Sequence, residues 1–232
     1  MKTRIFLSVV AIAFSIQAWS YHGEWTYLGK PKAKVDTENS HSYTGLAGAY
    51  YFLPLASVNE QLMSYGFANG FKNAIGVGID RGGEATSDQF KLPFITYMAF
   101  HYLLPQDLSA HGDSLKARLN GYNFQFDFLG WNYLNSETMT FTAGIAWAFG
   151  RLKVTEKSPI GTTTFLDKYF GPQLRTEFNV MLGDHFYLGA RASYRFDLTK
   201  TAWSREGVAS AEDLAPTQMN GAMIGAFIGY GK

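Results

Sequence analysis

The sequence predicts an all-β fold: an antiparallel, up-and-down transmembrane β-barrel of about eight strands, with a short helix in the first outer connection. Three observations predict it. Long segments alternate large apolar side chains with small or polar ones, as a strand must when one face meets lipid and the other a lumen. The connections between these segments run long, short, long, short. Aromatics make up 16% of the chain and glycines number 24, against 17% charged residues, and no segment beyond the N-terminal one is apolar for the length of a membrane-spanning helix.

The first 20 residues have the form of a secretory signal peptide. Lys2 and Arg4 form the basic end, Ile5 to Ile16 the apolar centre, and Ala18-Trp19-Ser20 a small-x-small cleavage site. Residues 1–20 are therefore expected to be removed, 21–41 to form a periplasmic arm, and 42–232 to form the barrel. The chain has no cysteine, so neither disulfides nor a lipidated cysteine is available to it. With 20 basic against 19 acidic side chains and no long charge run, nothing favours nucleic acid as a partner.

Strands are expected at 42–53, 71–81, 89–103, 115–130, 138–152, 173–182, 186–198 and 219–231. The first two and the last are glycine-rich, and their register is open. In 89–103 the large residues Phe90, Leu92, Phe94, Met98, Phe100 and Tyr102 share one face, opposite Lys91, Tyr97 and His101. In 138–152 Met139, Phe141, Ile145, Trp147 and Phe149 alternate with threonine, glycine and alanine. The pair 173–182 and 186–198 sets Leu174, Phe178, Leu188, Tyr194 and Phe196 against arginines and carboxylates. In 115–130 the apolar phase changes from Leu115 and Leu119 to Tyr122, Phe124 and Phe126, and a β-bulge near Asn120-Gly121 would restore a single outer face.

A periplasmic N-terminus makes the long connections outer ones: 54–70, 104–114, 154–164 and 199–218. The short ones are 82–88, 132–137 and the tight Gly183-Asp184-His185 turn. In the first long connection Ser57 and Glu60 have capping-box spacing. Leu55, Val58, Leu62 and Tyr65 share a helical face, and Gly66 suits a helix end. A helix at about 58–65 is predicted, lying across the barrel mouth. Trp25, Trp131, Trp147 and Trp203, with Tyr51, Tyr102, Tyr122, Tyr133, Tyr194 and Tyr230, fall toward strand ends, as interfacial girdles require.

The inward faces carry charges of both signs: Lys91, Arg175, Arg191 and Arg195 against Asp127, Glu177 and Asp197, with Asn123, Gln125 and Asn179 nearby. An eight-stranded barrel is just wide enough to be filled by its own side chains. Desolvated charges there must pair, so a structural network is expected in preference to an ion path or a ligand site. The histidines show no metal-ligand spacing, and no cofactor is expected. His101 with Ser109 or Ser114 is the one pairing that imitates a lipid hydrolase. Gly76 and Gly78 lie within a strand and are read as small residues facing a crowded lumen, with no nucleotide signature around them.

The alternating strands 89–103, 138–152 and 173–198, with the aromatic-rich end Ile224 to Tyr230, resemble the small outer-membrane β-barrel proteins of Gram-negative bacteria, of OmpA/OmpX-like architecture. The resemblance covers about 42–232. It implies an outer-membrane location, outer-membrane lipid and the barrel-insertion machinery as partners, and a monomer. In those proteins the chain usually ends on an aromatic residue; here Tyr230 is followed by Gly231 and Lys232. The expected role is non-enzymatic, structural or surface-interacting, through the outer connections. The longest of these, 199–218, holds Arg205, Glu206, Glu212 and Asp213 as candidates for contact with a surface partner. The alternatives are a membrane-embedded lipid-modifying enzyme and a soluble periplasmic lipophile-binding barrel.

Overall fold

The computed structural model describes residues 42–85, 94–112, 114–135, 138–199, 203–207 and 218–231. The expected signal peptide and N-terminal arm lie outside the described residues, as do Lys91, Glu212 and Asp213. The strands are β1 (Ser42–Tyr51), β2 (Ala74–Ala85), β3 (Phe94–Ala110), β4 (Leu115–Asn135), β5 (Met139–Ser158), β6 (Gly161–Leu182), β7 (Phe186–Arg195), β8 (Ser204–Gly207) and β9 (Gly221–Gly231), with one helix, α1 (Ala56–Ser64), between β1 and β2. Each of β1 to β7 pairs antiparallel with its sequence neighbour. Strand β9 joins β7 to β1 and so closes an eight-stranded barrel. The short β8 is an addition: it pairs with β6 beyond the end of β7.

Alternation sets the register. Leu46 lies between Ile79 and Ile228, one outward apolar row across three strands, while its neighbour Ala47 lies between Gly78 and Phe227 facing in. Side chains such as Leu46, Ile79, Phe100, Leu174, Leu188 and Ile228 are exposed around the whole circumference. Water would not tolerate a continuous belt of this kind, whereas hydrocarbon solvates it. The inward glycines of β2 are needed for space: a Cβ on Gly76 would stand 2.7 Å from the Tyr51 ring.

The expected bulge near Asn120-Gly121 does not form. On β4, Ala117, Leu119, Gly121, Asn123 and Gln125 all face inward, and pairing with β5 is unbroken from Lys116–Lys157 to Asp127–Ala146. The phase change has another cause, a reversal of polarity. Near the membrane the outside is apolar and the lumen polar; further up, the inside becomes apolar (Leu119, Leu152, Val154, Phe165) and the outside polar. The upper barrel is built like a soluble protein, and the switch marks where the belt ends. The irregularities lie elsewhere. Phe128 and Tyr133 are unpaired against β5, and Leu104-Pro105 form a bulge opposite Asn120, where a proline without an N–H is tolerated.

Two of the expected long connections are likewise strands. Strand β3 runs on to His111 and Gly112, both with positive φ, and β4 starts again at Leu115, while β5 and β6 run on to a turn at 159–160. The segments 104–110 and 154–158 read as loops in the sequence because their outward residues are polar. They stay paired because their inward residues pack on the mouth cluster: Val154 is buried in it, and Leu108 and Ala110 are partly buried against it. The tight turn after β6 forms as expected, with Gly183 at φ 67°.

Candidate functional site

Three layers fill the lumen. At the end bearing the long hairpins, α1 lies in the mouth. Val58 and Leu62 are fully buried and pack in one cluster with Leu53, Phe67 and Phe71 of the same connection and with Leu103, Leu119, Leu152 and Phe165 of the wall. Asn59 clamps the return chain, accepting from the Phe71 amide at 2.7 Å and donating to its carbonyl at 2.8 Å. Gln106, at the β3 bulge, holds Lys72 and Asn73 through backbone bonds. The helix starts at Ala56 with Leu55 in the cap position, where a hydrocarbon side chain offers no acceptor and is buried in the cluster instead, so Ser57 is not the cap residue that its spacing with Glu60 predicts. Gly66, at φ 95°, ends the helix as predicted.

The middle layer is charged. Arg175 makes a two-pronged contact with Asp127, Nε to Oδ1 at 3.0 Å and Nη2 to Oδ2, and donates to Glu177 at 3.0 Å. Arg191 donates to Glu177 from Nε at 2.9 Å and from Nη2 at 2.5 Å, and through Nη1 to Asp80 at 2.6 Å and to the Tyr97 hydroxyl. The guanidinium carbons of Arg191 and Arg175 lie 4.0 and 4.5 Å from the Tyr97 ring centroid, within cation–π range. Glu177 also accepts from Tyr43 at 2.5 Å and Asn179 at 2.9 Å. From Asp80 the chain continues upward. His101 Nε2 lies 2.8 Å from Asp80 Oδ1 and Nδ1 2.5 Å from the Tyr51 hydroxyl, Asn123 donates to that hydroxyl at 3.2 Å, and Tyr169 donates to Asn123 at 2.9 Å. Asp80 is an acceptor only, which assigns the proton to Nε2 and leaves Nδ1 to accept from Tyr51. The floor is aromatic: Tyr43 stacks on Phe227 at 4.7 Å and leans on Tyr187 at 5.5 Å.

Of the network residues read from the sequence, Asp127, Arg175, Glu177 and Arg191 meet in the middle layer. Arg195 and Asp197 stand apart from them. Arg195 donates to the Met219 carbonyl at 2.8 Å and stacks 3.9 Å from the Tyr169 ring; Asp197 accepts from the amides of Thr199 and Met219. These two tether the chain between β7 and β9. Asp80 and Tyr43 were not singled out, Tyr51 was read as a girdle residue, and Tyr97 was placed correctly on the inward face beside His101 but given no part in the network. The signal for Asp80 was present: it shares the even face of β2 with Gly76 and Gly78, opposite Ile75, Val77 and Ile79.

His101 is brought to neither candidate serine. It is 1% exposed inside the lumen, whereas Ser109 is exposed and Ser114 donates to the His111 carbonyl at the outer turn. Among the described residues no cluster of His, Cys, Asp or Glu is arranged to hold a metal ion. Two girdle assignments also need correction. Tyr102, Tyr122, Tyr194 and Tyr230 are exposed as expected, but Tyr51 points into the lumen and Trp203 is buried in the mouth cluster.

No family model matches the sequence, and no curated protein does. Solved structures do. Ail, the attachment invasion locus protein of Yersinia pestis, in complex with the heparin analogue sucrose octasulfate, is 11% identical with a TM-score of 0.47; the match covers 83% of this chain and 97% of that one. Neisserial surface protein A is 10% identical at 0.42, over 83% and 96%. A major outer membrane protein of Thermus thermophilus is 10% identical at 0.49, over 83% and 99%. At such identities no role carries over from these proteins, and the barrel stands on its own strand pairing.

Above the belt, Glu156 faces inward beside Ala117 and Thr163, with no hydrogen-bond partner for Oε1. Burial pushes its carboxyl from the ordinary 4.5 up to about 7. A raised folded-state value means that folding favours the protonated form, so this residue's contribution is most favourable below about 4.5 and is lost as pH rises to 7. Glu156→Gln is expected to flatten that slope. Allowing for partial exposure, it should gain about 1 kcal/mol at neutral pH, read from urea midpoints measured at several pH values.

Proposed function

We propose that this chain is a monomeric outer-membrane barrel without a transport pore or a catalytic centre, which acts structurally or by contact through the end bearing the long hairpins, the outer end. One observation carries this reading: the lumen is occupied through its depth by an apolar mouth, a paired charge layer and an aromatic floor. A filled eight-stranded barrel has no continuous path, and paired buried charges are structural by default. Trp203 and β8 belong to this scaffold, so the start of the longest outer connection is structural, and contact is left to exposed side chains such as Arg205 and Glu206.

The reading is tested by fractionation and by conductance. The protein is expected in the outer-membrane fraction, with heat-modifiable mobility on a gel, and planar bilayers containing it are expected to show no steady conductance above background. Recovery in the periplasmic extract would remove the membrane assignment. A stable open conductance would remove the sealed lumen.

A further inference from the structure

An asparagine followed by glycine is the pair in which a backbone amide most readily attacks the preceding side chain, because glycine has no Cβ to shield its nitrogen. The described residues hold three such pairs, Asn69-Gly70, Asn120-Gly121 and Asn220-Gly221, and the fold treats them differently. Asn120 and Gly121 sit in the unbroken ladder of β4 with β5, where extended backbone carries the amide nitrogen away from the side-chain carbonyl. Asn220 Oδ1 accepts from the Asp197 amide at 2.7 Å, and Gly221 opens β9 opposite Arg195. Asn69 is exposed in the irregular segment between α1 and β2. Among the described residues neither its side chain nor the Gly70 N–H has a hydrogen bond. The glycine itself is fixed by packing: a Cβ on Gly70 would stand 2.3 Å from Asn59 Cγ.

We propose that Asn69 is a self-modification site, deamidated by the Gly70 amide nitrogen, and that the product unlatches the mouth helix. The nitrogen bonds to the Asn69 Cγ, its proton leaves with the side-chain nitrogen as ammonia, and a five-membered succinimide forms. Water then opens the ring. Attack at Cγ gives aspartate; attack at the main-chain carbonyl gives isoaspartate, in which the chain runs through Cγ and is longer by one methylene. One water replaces one ammonia, and nothing is oxidised or reduced.

The added length falls where the chain has no slack. Phe67 and Phe71 are both buried in the mouth cluster, and only Ala68, Asn69 and Gly70 lie between them. Asn59 holds Phe71 by its amide and its carbonyl and packs directly on Gly70. A longer link cannot keep both rings seated and Gly70 against Asn59. The clamp gives way, since each of its hydrogen bonds is worth less than a buried phenylalanine ring. Asn59 belongs to α1, so its release frees the helix from the return chain.

The test compares the full barrel freshly refolded with the same protein aged at physiological temperature in mildly alkaline buffer. Peptide mass spectrometry with electron-based fragmentation locates the conversion and separates isoaspartate from aspartate. In the folded barrel Asn69 is expected to convert about a hundredfold faster than Asn120 or Asn220, the scale for reacting atoms held out of position. In urea the three should convert at similar rates. Amide exchange of the 54–73 connection and tryptic cleavage after Lys72 are expected to rise about thirtyfold on ageing, for two hydrogen bonds lost. Asn69→Gln, whose ring would need six members, should age without either change. Fresh Asn69→Asp, which carries the charge without the methylene, should behave as fresh wild type, and Asn59→Ala should open without ageing. Unchanged heat-modifiable mobility shows that the variants fold.

Equal conversion of the three asparagines in the folded barrel overturns the proposal. So does a chain converted at Asn69 whose 54–73 connection opens no faster than the fresh one. If fresh Asn69→Asp opens as far as aged wild type, the added length is not what unlatches the helix, and the proposal falls.

Discussion

Arg191→Met is expected to cost the folded barrel about 3–5 kcal/mol, the scale for removing one partner from a buried charge network. Arg191 is the only described side chain that bonds both Asp80 and Glu177, and all three are almost wholly buried. Methionine fills much of the same volume but leaves Asp80 with His101 alone and Glu177 with Arg175, Tyr43 and Asn179. The loss is read from urea unfolding of the refolded barrel, followed by the heat-modifiable band. A second variant separates charge from packing. Arg191→Met combined with Asp80→Asn and Glu177→Gln removes the stranded charges and is expected to recover at least half of the lost stability, since a network replaced as a whole by neutral groups is often tolerated. If the combined variant is as weak as the single one, the stacking of Arg191 on Tyr97 and Phe227 matters more than its ion pairs.

The strands and the inward charges were legible because a period of two is a strong signal wherever the two faces differ. On β6 and β7 the difference is maximal, leucine and phenylalanine against arginine and glutamate, and Arg175, Glu177 and Arg191 were placed on the correct face. The signal was misread where the environment changes along one strand. Leu119 and Phe124 lie on opposite faces of β4 and both are apolar, because the lumen above the belt is as dry as the lipid beside it. Alternation reports contrast between faces and says nothing about which solvent lies on each. For the same reason Tyr51 and Trp203 were read as girdle residues: a buried aromatic at a strand end and an interfacial one have the same spacing. His101 was assigned to the inward face, yet its partners come from β1 and β2, whose glycines left the register open until the pairing of Gly78 with His101 settled it.

Val58→Asp is expected to release the helix from the mouth while the barrel stays folded. Val58 is fully buried among apolar side chains, and a carboxylate there would have no cation to pair with among the residues of its cluster. Burial of an unpaired charge costs several kcal/mol, and the variant has already lost Val58's own burial, so what still holds the helix down is chiefly the roughly 1.5–3 kcal/mol from Leu62. The cheaper response is therefore for the helix to undock. Opening of the 54–73 connection should rise about a thousandfold, measured as amide exchange and as tryptic cleavage after Lys72. The barrel beneath should keep its mobility shift, because its strands are held by closed pairing and by the lipid belt. Conductance decides between two views of the lid. With the Arg175–Glu177–Arg191 layer and the Tyr43–Phe227 floor in place below, the undocked variant should remain closed. If it conducts, the helix is the sole seal, the charge layer is permeable, and the molecule is a gated passage with its outer connection as the gate.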